Sequence, residues 1–380
     1  MNIALVWILF IIGLTGTALE LLGKRSSLLL QLLYIVSFTL CAISRILSVD
    51  ATKDTPDLAA YLKYYLTYDN AYFEKGYVAF CNIVRWIAGT NSIALVFSST
   101  IWIILFFALT VSILNKQYFS AALEKTINEK RAKQIFILPK NHVNYFSTML
   151  FLFGAYWGIC YSAEIIRQGM SNVLLSLALA FILNNQWLFS FFSFLIALNF
   201  HRSSIMFFPA LLLILVLKKY PSRKSFYVWF AILLCADIII QNTALLDIEF
   251  FVKILGCFQG NPYVSRFFEY INTDAGNYFT TQYITYHFFA LLMLQGDFET
   301  GNRKKISLIY YMGLTFGTLL QKSVIYMRIQ WVYLPVVILA LYYYIKDDRT
   351  QSDRVKFGIA TAYSALQTVM AVRYLGSYII

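Results

Sequence analysis

Charge is what this chain has least of. Only 13% of its 380 residues are Asp, Glu, Lys or Arg, while 59% are hydrophobic. A soluble globular protein is excluded, because about a quarter of such a chain is charged. Cysteine is also scarce. The five that occur (Cys41, Cys81, Cys160, Cys235 and Cys257) are odd in number and scattered, with no CxxC or Cys/His metal spacing. They read as small buried side chains rather than a disulfide framework or a metal site. No soluble domain, internal repeat or low-complexity linker is evident. The N-terminal stretch has no basic residue before its apolar run and no small-residue cleavage site, so it reads as a retained first span.

What is present is a succession of apolar runs, most of them near the 17–25 residues that cross about 30 Å of hydrocarbon. About twelve can be placed, over 2–22, 28–47, 93–114, 143–161, 169–183, 187–201, 204–217, 226–243, 281–295, 306–322, 329–345 and 356–373. The expected fold is all-α, a polytopic membrane bundle forming one integral domain over residues 1–380.

The formal net charge of +12 does not mark a nucleic-acid protein, since the basic residues form no stripe. They punctuate the gaps between runs. One set of gaps holds Lys24 and Arg25, Lys116 to Lys140, Lys218 to Lys224, Arg303 to Lys305, and Lys346 to Lys356, together 19 of the 31 Lys and Arg residues. The positive-inside bias puts this set in the cytoplasm and both termini outside. The basic, partly amphipathic loop at about 115–142 is expected to lie on the inner surface against anionic lipid.

The opposite side receives two long segments, about 48–92 and 244–280, rich in Tyr and Phe with scattered acids. Aromatics there anchor a protein at the membrane interface. Aromatic faces mixed with Asp, Asn and Gln also hold sugars, the ring covering the C–H face while polar groups take the hydroxyls. Composition does not choose between these two readings.

Ionisable residues near membrane depth are the sharpest functional pointers, because each is costly unless paired, snorkelling or hydrated. On the outer side they are few. Arg45 ends the second run. Arg167 sits in the very short turn of "EIIRQGMSN". His201 and Arg202 stand together in "NFHRSS", between two uncharged runs, and Arg328 opens a late run in "QKSVIYMRIQWVYLP". Guanidinium groups grip phosphate through paired hydrogen bonds and stay charged at physiological pH. A histidine can be neutral near pH 7 and accept a proton from a hydroxyl, although one at a helix end is also a common structural residue. In the first outer segment Asp57 and Tyr61 share a face if the segment is helical. "EKGY" follows, with Glu74 and Tyr77 flanking a glycine. Asp54 and Asp57, separated by a proline, make weak metal ligands.

Taken in order, Arg45, "DLAAYLKYY", "EKGY", "IRQGMS", "NFHRSS" and "MRIQWVYLP" resemble the EpsG-like branch of the Wzy polysaccharide polymerases. That pattern has an Asp with Tyr four residues on, a Glu-x-Gly-aromatic step, an Arg-Gln pair opening a span, a His before a Ser at a span end, and a late Arg. This chain departs from it at Lys75, at Met170 and Ser171, and in having Arg202 between His201 and Ser203.

The resemblance implies a GT-C-like helical bundle in a bacterial plasma membrane, with its active site facing the periplasm. It implies a glycosyltransferase that moves a growing glycan from undecaprenyl diphosphate to the distal sugar of a new lipid-linked oligosaccharide repeat. No nucleotide sugar, metal or other cofactor is called for. Beyond membrane lipids, a chain-length regulator is the one protein partner it brings into view. Arg167 and Arg328 would grip the diphosphate, with Arg45 and Arg202 in support, and His201 would take the acceptor proton. Asp57, Tyr61, Glu74, Tyr77 and Gln168 would orient substrate, with Glu74 the alternative base. Two readings from other classes stay open at this point, a lipid-linked oligosaccharide flippase and a membrane O-acyltransferase. A closer relative is a lipid-phosphate-sugar glycosyltransferase, which would use Asp54 and Asp57 on a metal.

Overall fold

The computed structural model describes residues 2–24, 26–47, 56–68, 73–133, 145–217, 219–243, 281–295, 298, 301–322, 325–333, 336–347 and 352–376. The expected outer segment at 244–280, with Cys257, lies outside them, as does Asp54. Every regular element among the described residues is helical.

In chain order the helices are α1 (Ile3–Leu21), α2 (Leu28–Leu47), α3 (Pro56–Thr67), α4 (Lys75–Ala88), α5 (Ser92–Lys133), α6 (Phe146–Ala163), α7 (Ile166–Leu183) and α8 (Trp187–Phe200). A 3-10 turn (Arg202–Phe207) leads into α9 (Phe208–Val216). There follow α10 (Arg223–Asn242), α11 (Thr281–Met293), α12 (Gly301–Leu319), α13 (Ile325–Tyr333), α14 (Val336–Asp347) and α15 (Asp353–Gly376). Among the described residues each apolar run of the sequence coincides with helix. Seven segments among the described residues are long and apolar enough to cross a membrane: α1, α2, the Ser92–Asn115 part of α5, α6, α7, α10 and Ile329–Lys346. Trp187–Phe200, Arg202–Val216 and Tyr283–Met293 are shorter apolar helices. The protein is therefore an all-α polytopic membrane protein.

The chain divides into two compact units, one of residues 1–204 with 351–380 and one of residues 205–350. The first is built around α6 and α7, of which 94% and 83% are buried, whereas only 33% of α1 is. Hydrocarbon rewards no apolar contact, so close helix packing falls to small residues. An added Cβ on Gly13 would come 2.3 Å from the Phe151 ring, and one on Gly16 would come 2.7 Å from Ser147 Cβ. α6 widens to a π-turn at Gly154–Gly158. Tyr34 enters there from α2 and donates its hydroxyl to the Leu150 carbonyl at 2.9 Å. Gly154 permits this approach, because a Cβ would lie 2.1 Å from the Tyr34 oxygen.

Two buried carboxylates brace this unit. Glu20, with no exposed surface, accepts the Ser147 N–H and the Ser26 hydroxyl through Oε1, both at 2.9 Å. Its Oε2 accepts the Thr148 N–H and hydroxyl, both at 2.8 Å. A helix start leaves its first N–H groups without intrahelical partners and carries partial positive charge. Glu20 thus caps α6 from a different helix. Replacing Glu20 by Ala leaves two buried backbone donors without acceptors, at about 1–3 kcal/mol each. The expected result is a clearly lower melting temperature of the detergent-purified protein. An unchanged one would show that α6 does not depend on this cap. The second carboxylate, Glu164, belongs to the turn between α6 and α7 and is without exposed surface.

The second unit packs on aromatic rings. Phe226 of α10 stacks on Trp229 at 6.0 Å and meets Tyr311 of α12 at 5.0 Å. The Trp229 indole donates to Thr315 Oγ1 at 3.0 Å. Asp237, buried on α10, has Oδ2 3.2 Å from His287 Nε2 and 3.1 Å from the Tyr283 hydroxyl. His287 Nδ1 faces the Tyr283 carbonyl at 2.9 Å. A carbonyl only accepts, so Nδ1 carries hydrogen. Tyr333 of α13 donates its hydroxyl to the Met206 carbonyl, which ties α13 to the end of the 3-10 turn.

Candidate functional site

The first expected outer segment folds into α3 and α4. Pro56 opens α3, where its missing N–H costs nothing, and Asp57 follows in the first turn. At the other end the last carbonyls of α3 find a donor on α4. Arg85 donates from Nε to the Tyr65 carbonyl at 2.8 Å and from Nη2 to the Tyr64 carbonyl at 2.7 Å. Its guanidinium also lies over the Tyr68 ring at 3.9 Å. Asp57 and Tyr61 therefore do share a helix, and the pair of helices is closed by an arginine that sequence reasoning had not singled out.

That closure holds the start of α4 beside a group of rings. Phe73 lies 5.6 Å from Tyr61 and 5.5 Å from Tyr77, centroid to centroid. Over this group comes Arg167, the second residue of α7, with its guanidinium carbon 4.3 Å from the Phe73 centroid and 5.1 Å from that of Tyr61. Guanidinium over an aromatic face is a favourable placement for a charge that is 14% exposed. Arg167 Nη1 donates to Glu74 Oε2 in a short ion pair. Glu74 precedes α4 as its cap residue, yet its side chain makes no cap bond. Its other oxygen, Oε1, accepts the backbone N–H of Arg202 at 3.1 Å.

One carboxylate therefore joins three stretches of chain. Glu74 links the Arg167 side chain, at the head of α7, to the backbone just after α8. Gly76 permits the approach, since a Cβ on it would lie 2.6 Å from the Asn199 carbonyl oxygen. Ser171 reinforces it, donating to the Ala197 carbonyl at 2.9 Å and meeting the Ser204 hydroxyl at short range. These contacts fix the end of α8, where the chain leaves the helix at His201 with φ −154° and ψ 121°. His201 Nδ1 then receives the Ser203 N–H at 3.2 Å and lies 2.6 Å from Ser203 Oγ.

Beneath the turn that presents Arg167, Arg45 Nε donates to Glu164 Oε1 at 2.5 Å, both side chains having no exposed surface. Arg45 had been expected beside the substrate. It stands behind the α6–α7 turn, and contact with substrate would require this buried pair to open. Gln168 is also enclosed, and neither end of its amide has a partner among the described residues. Burial pushes the Cys81 thiol of α4 up to about 11, which keeps it protonated and unreactive at neutral pH. Cys41 and Cys160 are buried as expected, but Cys235 is exposed.

The structure thus gathers Tyr61, Glu74, Tyr77, Arg167 and His201–Arg202 into one neighbourhood of the first unit, with Asp57 on the same helix as Tyr61. Arg328 lies on α13 in the second unit, and its side chain is outside those described. Four contributors escaped sequence reasoning, namely Arg85 closing α3 on α4, Phe73 under Arg167, Glu164 behind the turn, and the contact of Ser203 with the histidine ring. Glu164 left a signal, being an acid inside a short turn that also carried a candidate arginine. Among the described residues no three His, Cys, Asp or Glu side chains gather as a metal site.

A rigid arginine held between a carboxylate and aromatic rings, beside a histidine with a serine on its ring, suits binding of an anion next to a proton acceptor. In comparisons with known proteins, no curated protein and no solved structure matches the chain. One family model does match, that of the EpsG family, over residues 30–378.

Proposed function

The chain belongs to the EpsG family, and from that premise we propose that it is a bacterial plasma-membrane glycosyltransferase. Its reaction is the joining of undecaprenyl-diphosphate-linked oligosaccharide repeats into an O-antigen, capsule or exopolysaccharide chain at the outer leaflet. On this reading about twelve spans form a GT-C-like bundle with α3 and α4 on the outer side. The observation that supports it best is the Glu74 bridge. It draws together residues 74, 167 and 202, which are far apart in sequence and belong to three of the motifs carrying the family resemblance.

As the glycan leaves its carrier, negative charge grows on the diphosphate and positive character on the anomeric carbon. Donors fixed where that charge develops make a large contribution to rate. Arg167 is the first such donor. Its Nη1 is engaged by Glu74, and the part of the side chain that stays exposed, 14%, is what a phosphate would meet. Arg202, exposed at the start of the 3-10 turn, is a second. Arg328 is assigned to the same task on the resemblance alone. His201 takes up the proton of the attacking hydroxyl, and Asp57, Tyr61 and Tyr77 orient the sugars.

The test is a strain lacking the protein, examined for where lipid-linked repeats collect. A lost polymerase leaves single repeats at the outer leaflet. Repeats held on the cytoplasmic side would instead mark a flippase. Unchanged chain length with altered acylation would mark an acyltransferase.

A further inference from the structure

We infer that Ser203 is a further catalytic residue, relaying the proton of the acceptor hydroxyl to His201 Nδ1. The inference rests on the polymerase reading given above. It starts from which hydrogen atoms the observed geometry allows.

The Ser203 backbone N–H points at His201 Nδ1 at 3.2 Å, and a backbone N–H can only donate. Nδ1 is therefore the bare nitrogen of the neutral ring, and the ring hydrogen sits on Nε2. The Ser203 hydroxyl, 2.6 Å from the same nitrogen, must then donate to it as well. This leaves the lone pairs of Ser203 Oγ to face other groups. Histidine Nδ1 caps the 3-10 turn much as an Asn or Asp side chain would, and the cap fixes the tautomer.

A base acting directly through Nε2 would need the opposite tautomer, with hydrogen on Nδ1. That hydrogen would be driven against the Ser203 N–H. The Ser203 hydroxyl offers a route that starts from the observed tautomer, with the cap in place until the proton moves. The acceptor sugar's hydroxyl gives its proton to Ser203 Oγ while Ser203 passes its own proton to Nδ1. The sugar oxygen forms its bond to the anomeric carbon, and the bond from that carbon to the diphosphate oxygen breaks, its electron pair leaving with the diphosphate. The imidazolium formed has lost its acceptor site for the Ser203 N–H, and it returns its proton to the departing phosphate or to water. Ser203 is a relay in this scheme, and no glycosyl–serine bond forms. A hydroxyl hydrogen-bonded to a ring nitrogen is the arrangement by which enzymes activate an O–H group.

Two measurements test this. The first is ring 15N NMR of histidine-labelled protein in nanodiscs, with His201→Gln used to assign the signal. The expected result is Nε2–H and bare Nδ1 for His201, in the wild type and in Ser203→Ala, whose backbone N–H persists. Hydrogen on Nδ1 overturns the proposal whether or not the protein is active. The second is kinetics with a defined lipid-diphosphate oligosaccharide. Ser203→Ala is expected to lower kcat about 100-fold with KM nearly unchanged, while Ser203→Thr, which keeps the hydroxyl, retains most of it. An active wild type matched by Ser203→Ala overturns the relay alone. A wild type that never elongates the repeats overturns the polymerase reading and the relay with it.

Discussion

Replacing Arg167 by Ala is expected to lower chain elongation about 100- to 1,000-fold, the usual cost of removing one fixed donor from developing negative charge. The size follows from what the substitution leaves behind. Glu74 is now balanced by Arg167 through Oε2 and by the Arg202 N–H through Oε1. Without the guanidinium, a carboxylate remains beside the place proposed for the diphosphate, and like charges repel. The rings of Phe73, Tyr61 and Tyr77, all within 6 Å of the Arg167 guanidinium carbon, would lose the cation that lies against them. Arg167→Lys should recover little. An ammonium is a point charge without the planar fork that can hold a carboxylate with one nitrogen and a phosphate with others. Polysaccharide gels of strains with equal membrane abundance of each variant check this. A wild-type ladder from Arg167→Ala would end the diphosphate role.

The largest expected effect on stability belongs to Arg45 and Glu164. Both are without exposed surface, and their charged atoms are 2.5 Å apart. Breaking such a pair from one side strands a buried charge, at about 3–5 kcal/mol, whereas replacing both with apolar groups is often nearly neutral. Arg45→Met and Glu164→Leu should each lower the melting temperature and the membrane abundance sharply. The double substitution should recover most of the loss, which makes the cycle strongly non-additive. Simple addition of the two losses would show that Arg45 and Glu164 stabilise the protein separately. The same cycle separates the functional roles. A stable double variant that still polymerises identifies Arg45 as a support for the turn bearing Arg167. A stable but inactive one points to contact with substrate.

The polytopic character was legible because a hydrocarbon solvent imposes length and apolarity on every crossing segment, and seven segments among the described residues meet both demands. The candidate arginines and histidine were legible for the related reason that charge is rare at membrane depth. Their partners were not. Glu74 and Arg167 are 93 positions apart, and Arg45 and Glu164 are 119 apart, so no local pattern pairs them. Only tertiary packing does so, for the first pair by setting α4 against α8 through close approaches such as that of Gly76 to Asn199. The orientation of His201 was hidden as well. It depends on the extended backbone at the end of α8 and on the 3-10 turn that follows, both set by α7 through Ser171. Helix α3 is an intermediate case, since the spacing of Asp57 and Tyr61 was informative only if that stretch was helical, as it is.

The central claim is tested most directly by reconstitution. The purified protein is placed in liposomes with one defined undecaprenyl-diphosphate-linked repeat and no nucleotide sugar, and the products are resolved by length. The account predicts a lipid-linked ladder rising by one repeat per step, with one undecaprenyl diphosphate released for each linkage, and its loss with Arg167→Ala. A wild-type protein that leaves every repeat single, or that only moves repeats across the bilayer, would contradict it.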